Sequence, residues 1–138
     1  MLIDTNILIY SLNKQSPKME RAQKFLQQHI KTAIVAHQNI LEAYRVLTRS
    51  TFSHKMTSIQ ANKALSEISN SINIIHPNGL SYAIFMNFIK KYNLKSNAVF
   101  DGYLVATMLS NGEREIATDN KKHFLPFLEI NIFNPFDE

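Results

Sequence analysis

Short apolar runs alternate along the chain with longer segments in which apolar residues recur every three or four positions. The short runs are rich in β-branched residues, which favours strands. They predict strands at residues 1–4, 32–36, 72–75 and 115–118, and a short fifth strand at 130–133.

The longer segments have the period of amphipathic helices. Ser16 followed by Pro17 is typical of a helix start, with Ser at the N-cap and Pro in the first turn. Thr57 or Ser58 would begin a later helix. The stripes predicted to face the core are Met19, Ala22, Phe25 and Leu26, then Ile40, Leu41, Tyr44 and Leu47, then Ile59, Ala61, Leu65 and Ile68. Further helices are predicted at 6–12, 80–92 and 101–110.

Strands that alternate with helices of this length are typical of α/β proteins with a mostly parallel sheet. No repeat or linker divides the chain, so we expect a single domain over residues 1–138. In such sheets, ligands bind beyond the carboxyl ends of the strands. The residues that follow each strand are therefore the first candidates for function.

Four acidic residues lie at such positions. Asp4 and Asp119 follow predicted strands, and Glu42 and Asp101 lie in the first turns of predicted helices. Four carboxylates in one pocket would repel one another unless a cation compensates. Oxygen-only ligands suit Mg²⁺ or Mn²⁺, and two such ions can hold the attacking and leaving oxygens of a phosphodiester.

Each acid also has a local structural explanation. Asp4 could close its strand with an Asx-turn, and Asp119 could cap the turn that follows it. Glu42 could pair with Arg45 on a solvated helix face. Asp101 could be a favourable charge at a helix start. Spacing alone does not decide between these explanations and a metal site.

Composition narrows the classes of function. The chain has no Cys, which excludes zinc–thiolate sites, iron–sulfur clusters and thiol nucleophiles and fits a cytoplasmic protein. The N-terminus lacks a basic segment and no apolar run approaches 18 residues, so we expect neither a signal peptide nor a membrane span. Motifs of nucleotide-binding loops, serine hydrolases and zinc proteases are missing.

The net charge is compatible with a nucleic-acid partner. Fifteen Lys and Arg stand against 11 Asp and Glu, for a formal charge of +4. Without the four candidate acids, the same 15 bases face seven acids. A basic surface around one acidic pocket suits a polyanionic backbone.

Four segments, in order, resemble the PIN domain family. They are D-T-N-I-L-I-Y at 4–10, N-I-L-E-A-Y-R-V-L-T-R at 39–49, F-D-G-Y-L-V-A-T-M at 100–108 and T-D-N-K-K-H-F at 118–124. The length and order resemble the small stand-alone members of VapC type, the toxins of toxin–antitoxin pairs. The resemblance implies a three-layer α/β/α fold with a mostly parallel sheet of four to five strands. It also implies an Mg²⁺- or Mn²⁺-dependent endoribonuclease.

The resemblance assigns the first three acids of the family to Asp4, Glu42 and Asp101, as catalytic residues and metal ligands. The fourth acid departs from the pattern. With Phe124 as anchor, the family position falls on Asn120, and Asp119 stands one residue early. We expect Asp119 to be the fourth ligand, because a turn can rotate its acid inward. The alternative is that Asn120 fills the position and orients water or metal.

Supporting residues and partners follow from the same resemblance. Hydrogen bonds to the metal ligands would orient their carboxylates, and the residues expected to make these bonds are Thr5, Asn6, Thr118 and Asn120. The basic residues expected to hold RNA are Arg45, Arg49, Lys121 and Lys122. The resemblance also implies a small cognate antitoxin and a homodimer. The alternatives left open are a catalytically silent RNA- or protein-binding module, a non-toxin RNA-processing enzyme and a DNA nuclease.

Overall fold

Five short strands form one parallel sheet in the computed structural model, which describes residues 1–137. Their order across the sheet is β3-β2-β1-β4-β5, and every neighbouring pair is parallel. The strands are β1 (Leu2–Ile3), β2 (Ile34–Ala36), β3 (Asn73–Ile75), β4 (Glu115–Ala117) and β5 (Asn131–Phe133). The prediction of a parallel sheet of four to five strands is confirmed.

Helices occupy most of the chain between the strands. They are α1 (Thr5–Leu12), α2 (Met19–His29), α3 (His37–Thr48), α4 (Ser58–Ser71), α5 (Gly79–Tyr92), α6 (Ala98–Ser110) and α7 (Lys121–Phe124). The predicted cap of α4 forms, because the Thr57 hydroxyl accepts from the backbone N–H of Gln60 at 3.2 Å. Within residues 1–137, no helix has both the length and the apolar character that crossing a membrane requires.

The two faces of the sheet carry separate hydrophobic cores. On one face, Leu2 and Ile116 pack with Phe88 of α5 and Leu104 of α6. On the other face, Ile3 packs with residues of α1 and α2. Adjacent side chains of a strand point to opposite faces, so each short central strand contributes to both cores. Helices on both faces give the three-layer α/β/α arrangement that the family resemblance implied.

Five local predictions about the helices were wrong, and two of them are that Tyr44, which is 38% exposed, faces the core and that Glu42, which lies within α3, belongs to a first turn. Helix α2 begins at Met19, because the Ser16 hydroxyl accepts from the N–H of Lys18 in a turn instead of capping the helix. Ile59 is 81% exposed and Leu41 is 71% exposed, so neither faces the core. Each lies two positions before the alanine that does face it, which is about 200° around the helix.

The strand order reverses at β1, which leaves β2 and β3 on one side and β4 and β5 on the other. In open α/β sheets the crevice at such a reversal is the usual ligand position. Asp4 follows β1 and Thr118 follows β4 directly. The fold therefore puts both residues at the reversal point, at the carboxyl edge of the sheet.

Candidate active site

A cavity of about 660 Å³ opens at this edge of the sheet. Three of the four candidate acids, Asp4, Glu42 and Asp101, line it together. The rest of its wall consists of Thr5, Asn6, Ile9, Arg45, Asn97, Phe100, Asn120, His123 and Phe124. Asp4 follows β1, Glu42 lies within α3 and Asp101 lies in the first turn of α6, so only the folded chain brings them together.

Asp4 is the most buried of the acids, at 8% exposed. One carboxylate oxygen accepts from the backbone N–H of Thr5 at 2.8 Å, so Asp4 also caps α1. The other accepts from the Thr118 hydroxyl at 2.7 Å and from the Asn6 amide at 3.2 Å. Burial raises the pKa of Asp4 to about 6, with further contributions from the charges of Glu42 and Asp101, although these hydrogen bonds oppose the shift.

Glu42 is fixed by two hydrogen bonds rather than by an ion pair with Arg45. The Thr5 hydroxyl donates to Oε2 at 2.9 Å, and the Gln38 amide donates to Oε1 at 3.1 Å. The same Gln38 amide donates to the carbonyl of Phe100 at 2.9 Å, which links α3 to α6. Arg45 lies on the cavity wall and is exposed.

Asn39 supports this arrangement from inside the core, where it is fully buried. Its amide donates to the Thr5 hydroxyl at 3.1 Å, and its carbonyl accepts from the N–H of Ala36 at 3.0 Å. Sequence analysis did not identify Asn39. The available signal was a polar residue among apolar ones, three positions after the strand end, where it can bond back to the backbone.

Asp101 lies in the first turn of α6, across the cavity from β1. Burial raises its pKa, and the charge of Glu42 raises it further, while the neighbouring His123 lowers it. The His123 Nδ1 is 3.3 Å from the Asp101 carboxylate. Sequence analysis did not assign His123 to the site, because α7, which carries it, is too short to leave a periodic pattern.

The structure does not bring Asp119 into the cavity. Its carboxylate accepts from the Tyr10 hydroxyl at 2.8 Å and from the Asn134 amide at 3.2 Å, and it pairs with Lys18. Burial alone would raise the pKa of Asp119, but the bonds from Lys18, Tyr10 and Asn134 outweigh it and lower the pKa. Asn120 lines the cavity instead. The expected fourth ligand is therefore bonded to Tyr10 of α1 and to Lys18 at the N-cap of α2, outside the wall of the cavity.

The supporting polar residues form one connected network behind Asp4. Asn6 donates to the Thr118 hydroxyl at 3.2 Å and accepts from the N–H of Asp119 at 3.3 Å. The N–H of Asn120 donates to the same hydroxyl at 3.0 Å. These bonds tie the loop after β4 to the start of α1. They fix the orientation of the Asp4 carboxylate.

The basic residues are dispersed. Arg45 is the one of the four candidates that lines the cavity. Lys121 pairs with Asp137, while Arg49 and Lys122 are exposed outside the cavity wall. Of the four basic residues expected to hold RNA, only Arg45 therefore lines the cavity with the three acids.

A divalent cation in this cavity would have three carboxylates as candidate ligands. In residues 1–137, no three carboxylate or imidazole groups are arranged as a ready coordination sphere. The three acids nevertheless share one cavity, and the pKa values of Asp4 and Asp101 are raised partly by the charge of Glu42. An all-oxygen set under mutual repulsion fits a hard cation such as Mg²⁺ or Mn²⁺.

Comparisons with known proteins agree with this architecture. The sequence profile of the PIN domain family matches residues 1–125. VapBC2 from Rickettsia felis, bound to a promoter DNA fragment, has a TM-score of 0.73 at 16% identity, covering 96% of each chain. VapC20 from Mycobacterium tuberculosis, a toxin that cleaves the sarcin–ricin loop, has a TM-score of 0.69 at 14% identity, covering 94% of this chain and 97% of that one.

A toxin–antitoxin complex from Klebsiella pneumoniae has a TM-score of 0.68 at 20% identity, covering 99% of this chain and 98% of the other. At these identities the structural matches show the fold. No curated protein sequence matches the chain significantly.

Proposed function

We propose that this chain, which belongs to the PIN domain family, is a metal-dependent endoribonuclease that hydrolyses RNA phosphodiester bonds at the cavity of Asp4, Glu42 and Asp101. The observation that carries the proposal is the meeting of these three carboxylates in one cavity. Burial is the main cause of the raised pKa of Asp4 and of Asp101, and repulsion from the charge of Glu42 raises both pKa values further. A bound divalent cation would compensate that repulsion.

Asp4 and Asp101 would hold Mg²⁺ or Mn²⁺ directly, and Glu42 would bind the ion or its water. When bound, the ion polarises the phosphoryl oxygen and lowers the pKa of the attacking water. The Thr5 hydroxyl donates to Glu42, and Asn6 and Thr118 donate to Asp4, so these two carboxylates are held in fixed orientations. Asn120 is the neutral group that would orient water at the rim.

The first contact with RNA would be made by Arg45, the candidate basic residue on the cavity wall. Phe100 lines the same cavity, is 58% exposed, and would offer an aromatic surface to an unpaired nucleobase. Arg49, Lys121 and Lys122 would contact the backbone farther out. The structural similarity to a toxin that cleaves the sarcin–ricin loop supports RNA over DNA as substrate.

We further propose that the protein is the toxin of a toxin–antitoxin pair, acting in the cytoplasm as a homodimer. The support is the similarity of nearly the whole chain to toxins in such complexes. The partner would be a small cognate antitoxin. Copurification with the product of a neighbouring small reading frame would test this part separately from catalysis.

The nuclease itself is tested by incubating total cellular RNA with the protein in Mg²⁺, in Mn²⁺ and in EDTA. We expect cleavage with either ion, none in EDTA, and a loss of about 100-fold or more in Asp101→Asn, since even residues behind a metal ligand contribute ten- to a hundredfold. Glu115→Gln is the matched control, because Glu115 is an exposed acid at the start of β4, on the opposite edge. Equal cleavage by wild type and Asp101→Asn would refute the proposal.

A further inference from the structure

His37 and His76 face each other on the carboxyl edge of the sheet. Ala36 and Ile75 are register partners at the ends of β2 and β3, so the residues that follow them lie side by side. The two Nδ1 atoms are 3.2 Å apart. The ring centroids are 4.0 Å apart and the ring planes cross at 86°. Both side chains are exposed.

The separation of the two nitrogens matches that of a metal chelate. Two nitrogens bound about 2.0–2.1 Å from a tetrahedral ion lie about 3.3–3.4 Å apart. Without an ion, the contact requires one ring to donate through Nδ1 and the other to accept. An ion between the rings would use both lone pairs at once.

The backbone beneath each ring is anchored independently. The Asn111 amide donates to the carbonyl of His76 at 2.9 Å and to that of Thr107 at 2.8 Å, which ties His76 to α6. His37 is the first residue of α3, which the buried Asn39 fixes to Ala36. Because both backbones are held in place, chelation would cost mainly the freedom of two side chains.

We propose that His37 and His76 form a binding site for a borderline divalent transition ion, Zn²⁺, Ni²⁺ or Cu²⁺, with water in the remaining positions. Imidazole nitrogen favours these ions over Mg²⁺. Neither histidine lines the carboxylate cavity, so the site is distinct from the proposed nuclease centre. No third His, Asp or Glu in the described chain joins the pair, so it supplies two protein ligands.

The site is tested by isothermal titration of Zn²⁺ into the full chain in excess Mg²⁺, which occupies hard-cation sites. We expect one ion per chain. Both His37→Ala and His76→Ala should lower the Zn²⁺ affinity by at least about tenfold, because mutating even a residue that only supports a metal ligand usually costs that much. Asp101→Asn should bind Zn²⁺ like the wild type. His54→Ala is the matched control, an exposed histidine in the loop between α3 and α4.

Three outcomes would overturn the proposal. These are absence of Zn²⁺ binding, unchanged binding in both His37→Ala and His76→Ala, and loss of binding in Asp101→Asn, which would place the ion in the carboxylate cavity. Circular dichroism of each variant checks that it is folded. The Cu²⁺ electron paramagnetic resonance spectrum gives a second readout, since two coupled nitrogens are expected in the wild type and one in each single variant.

Discussion

The Tyr10 hydroxyl donates to the Asp119 carboxylate at 2.8 Å, and this bond turns Asp119 towards α1 instead of towards the cavity. Lys18 completes the arrangement: its ammonium pairs with the same oxygen and lies 5.2 Å from the centre of the Tyr10 ring. The loop after β4 is thereby fixed to α1 and to the N-cap residue of α2. Asp119 thus stabilises the loop that carries Thr118 and Asn120.

We predict that Asp119→Asn leaves Mg²⁺ affinity within about twofold of wild type but lowers the free energy of unfolding by about 1 kcal/mol, the usual contribution of such a hydrogen bond. Titration calorimetry and urea unfolding give the two quantities. Lys18→Met is the companion variant, with the same pattern expected. Loss of Mg²⁺ binding in Asp119→Asn but not in Lys18→Met would instead make Asp119 a ligand.

Asp101→Asn should remove cleavage without destabilising the metal-free protein. The folded pKa of Asp4 is about 6 against an ordinary 3.8, so the folded state holds this proton more tightly than the unfolded chain. Its contribution to stability therefore falls as pH rises from about 4 to about 6 and stays low above that range. Removing the Asp101 charge should reduce this fall.

The measurement is urea unfolding in EDTA from pH 4 to pH 8. The variant should be at least as stable as wild type at pH 8, and the difference should shrink towards pH 4. Added Mg²⁺ should stabilise the wild type and have little effect on the variant. A large loss of stability at every pH would mean that the contact with His123 makes Asp101 a structural residue.

Thr5→Val should weaken both the fold and the metal site. The Thr5 hydroxyl accepts from buried Asn39 and donates to Glu42, so valine leaves the Asn39 amide without an acceptor. We expect a loss of about 1–3 kcal/mol in unfolding free energy and a ten- to a hundredfold loss of Mg²⁺ affinity, as is usual when a ligand's support is removed. Thr5→Ser, which keeps the hydroxyl, should retain both. Equal loss in the two variants would point to methyl packing rather than the hydroxyl.

Arg45→Gln should weaken RNA binding more than Lys122→Gln does, because Arg45 lines the cavity and Lys122 does not. The slope of log affinity against log salt should fall by about 1 for Arg45→Gln if it contacts one phosphate. Fluorescence anisotropy with a labelled oligoribonucleotide in Ca²⁺ measures binding without relying on turnover. The same salt slope in wild type and Arg45→Gln would place the phosphate elsewhere.

Sequence patterns predicted the elements well where the signal is local. β-branched runs marked all five strands, and alternation with helices gave the parallel sheet. The rule that parallel strands end at a common edge singled out Asp4, Glu42, Asp101 and Asp119, and the family resemblance assigned the first three as ligands. Those three line one cavity, and Asp119 does not.

The orientation of Asp119 could not be read from sequence, because it depends on partners distant in the chain. Tyr10 lies 109 residues before it, and Lys18 lies 101 residues before it. The role of Asn39 could not be predicted for a related reason, since its amide bonds to the Thr5 hydroxyl of α1, which is distant in the chain. The turn signal that favoured an inward Asp119 describes the local backbone and does not specify which distant side chains the carboxylate contacts.

Residues 49–57 connect α3 to α4, and the acids of the cavity lie on both sides of this loop in the sequence. A polypeptide opened in this loop yields one piece with Asp4 and Glu42 and another with Asp101. Neither piece can rebuild the carboxylate set alone, because β1 and β4 must become neighbours across the cut. Cation binding at these carboxylates would then require the two separate polypeptides to assemble.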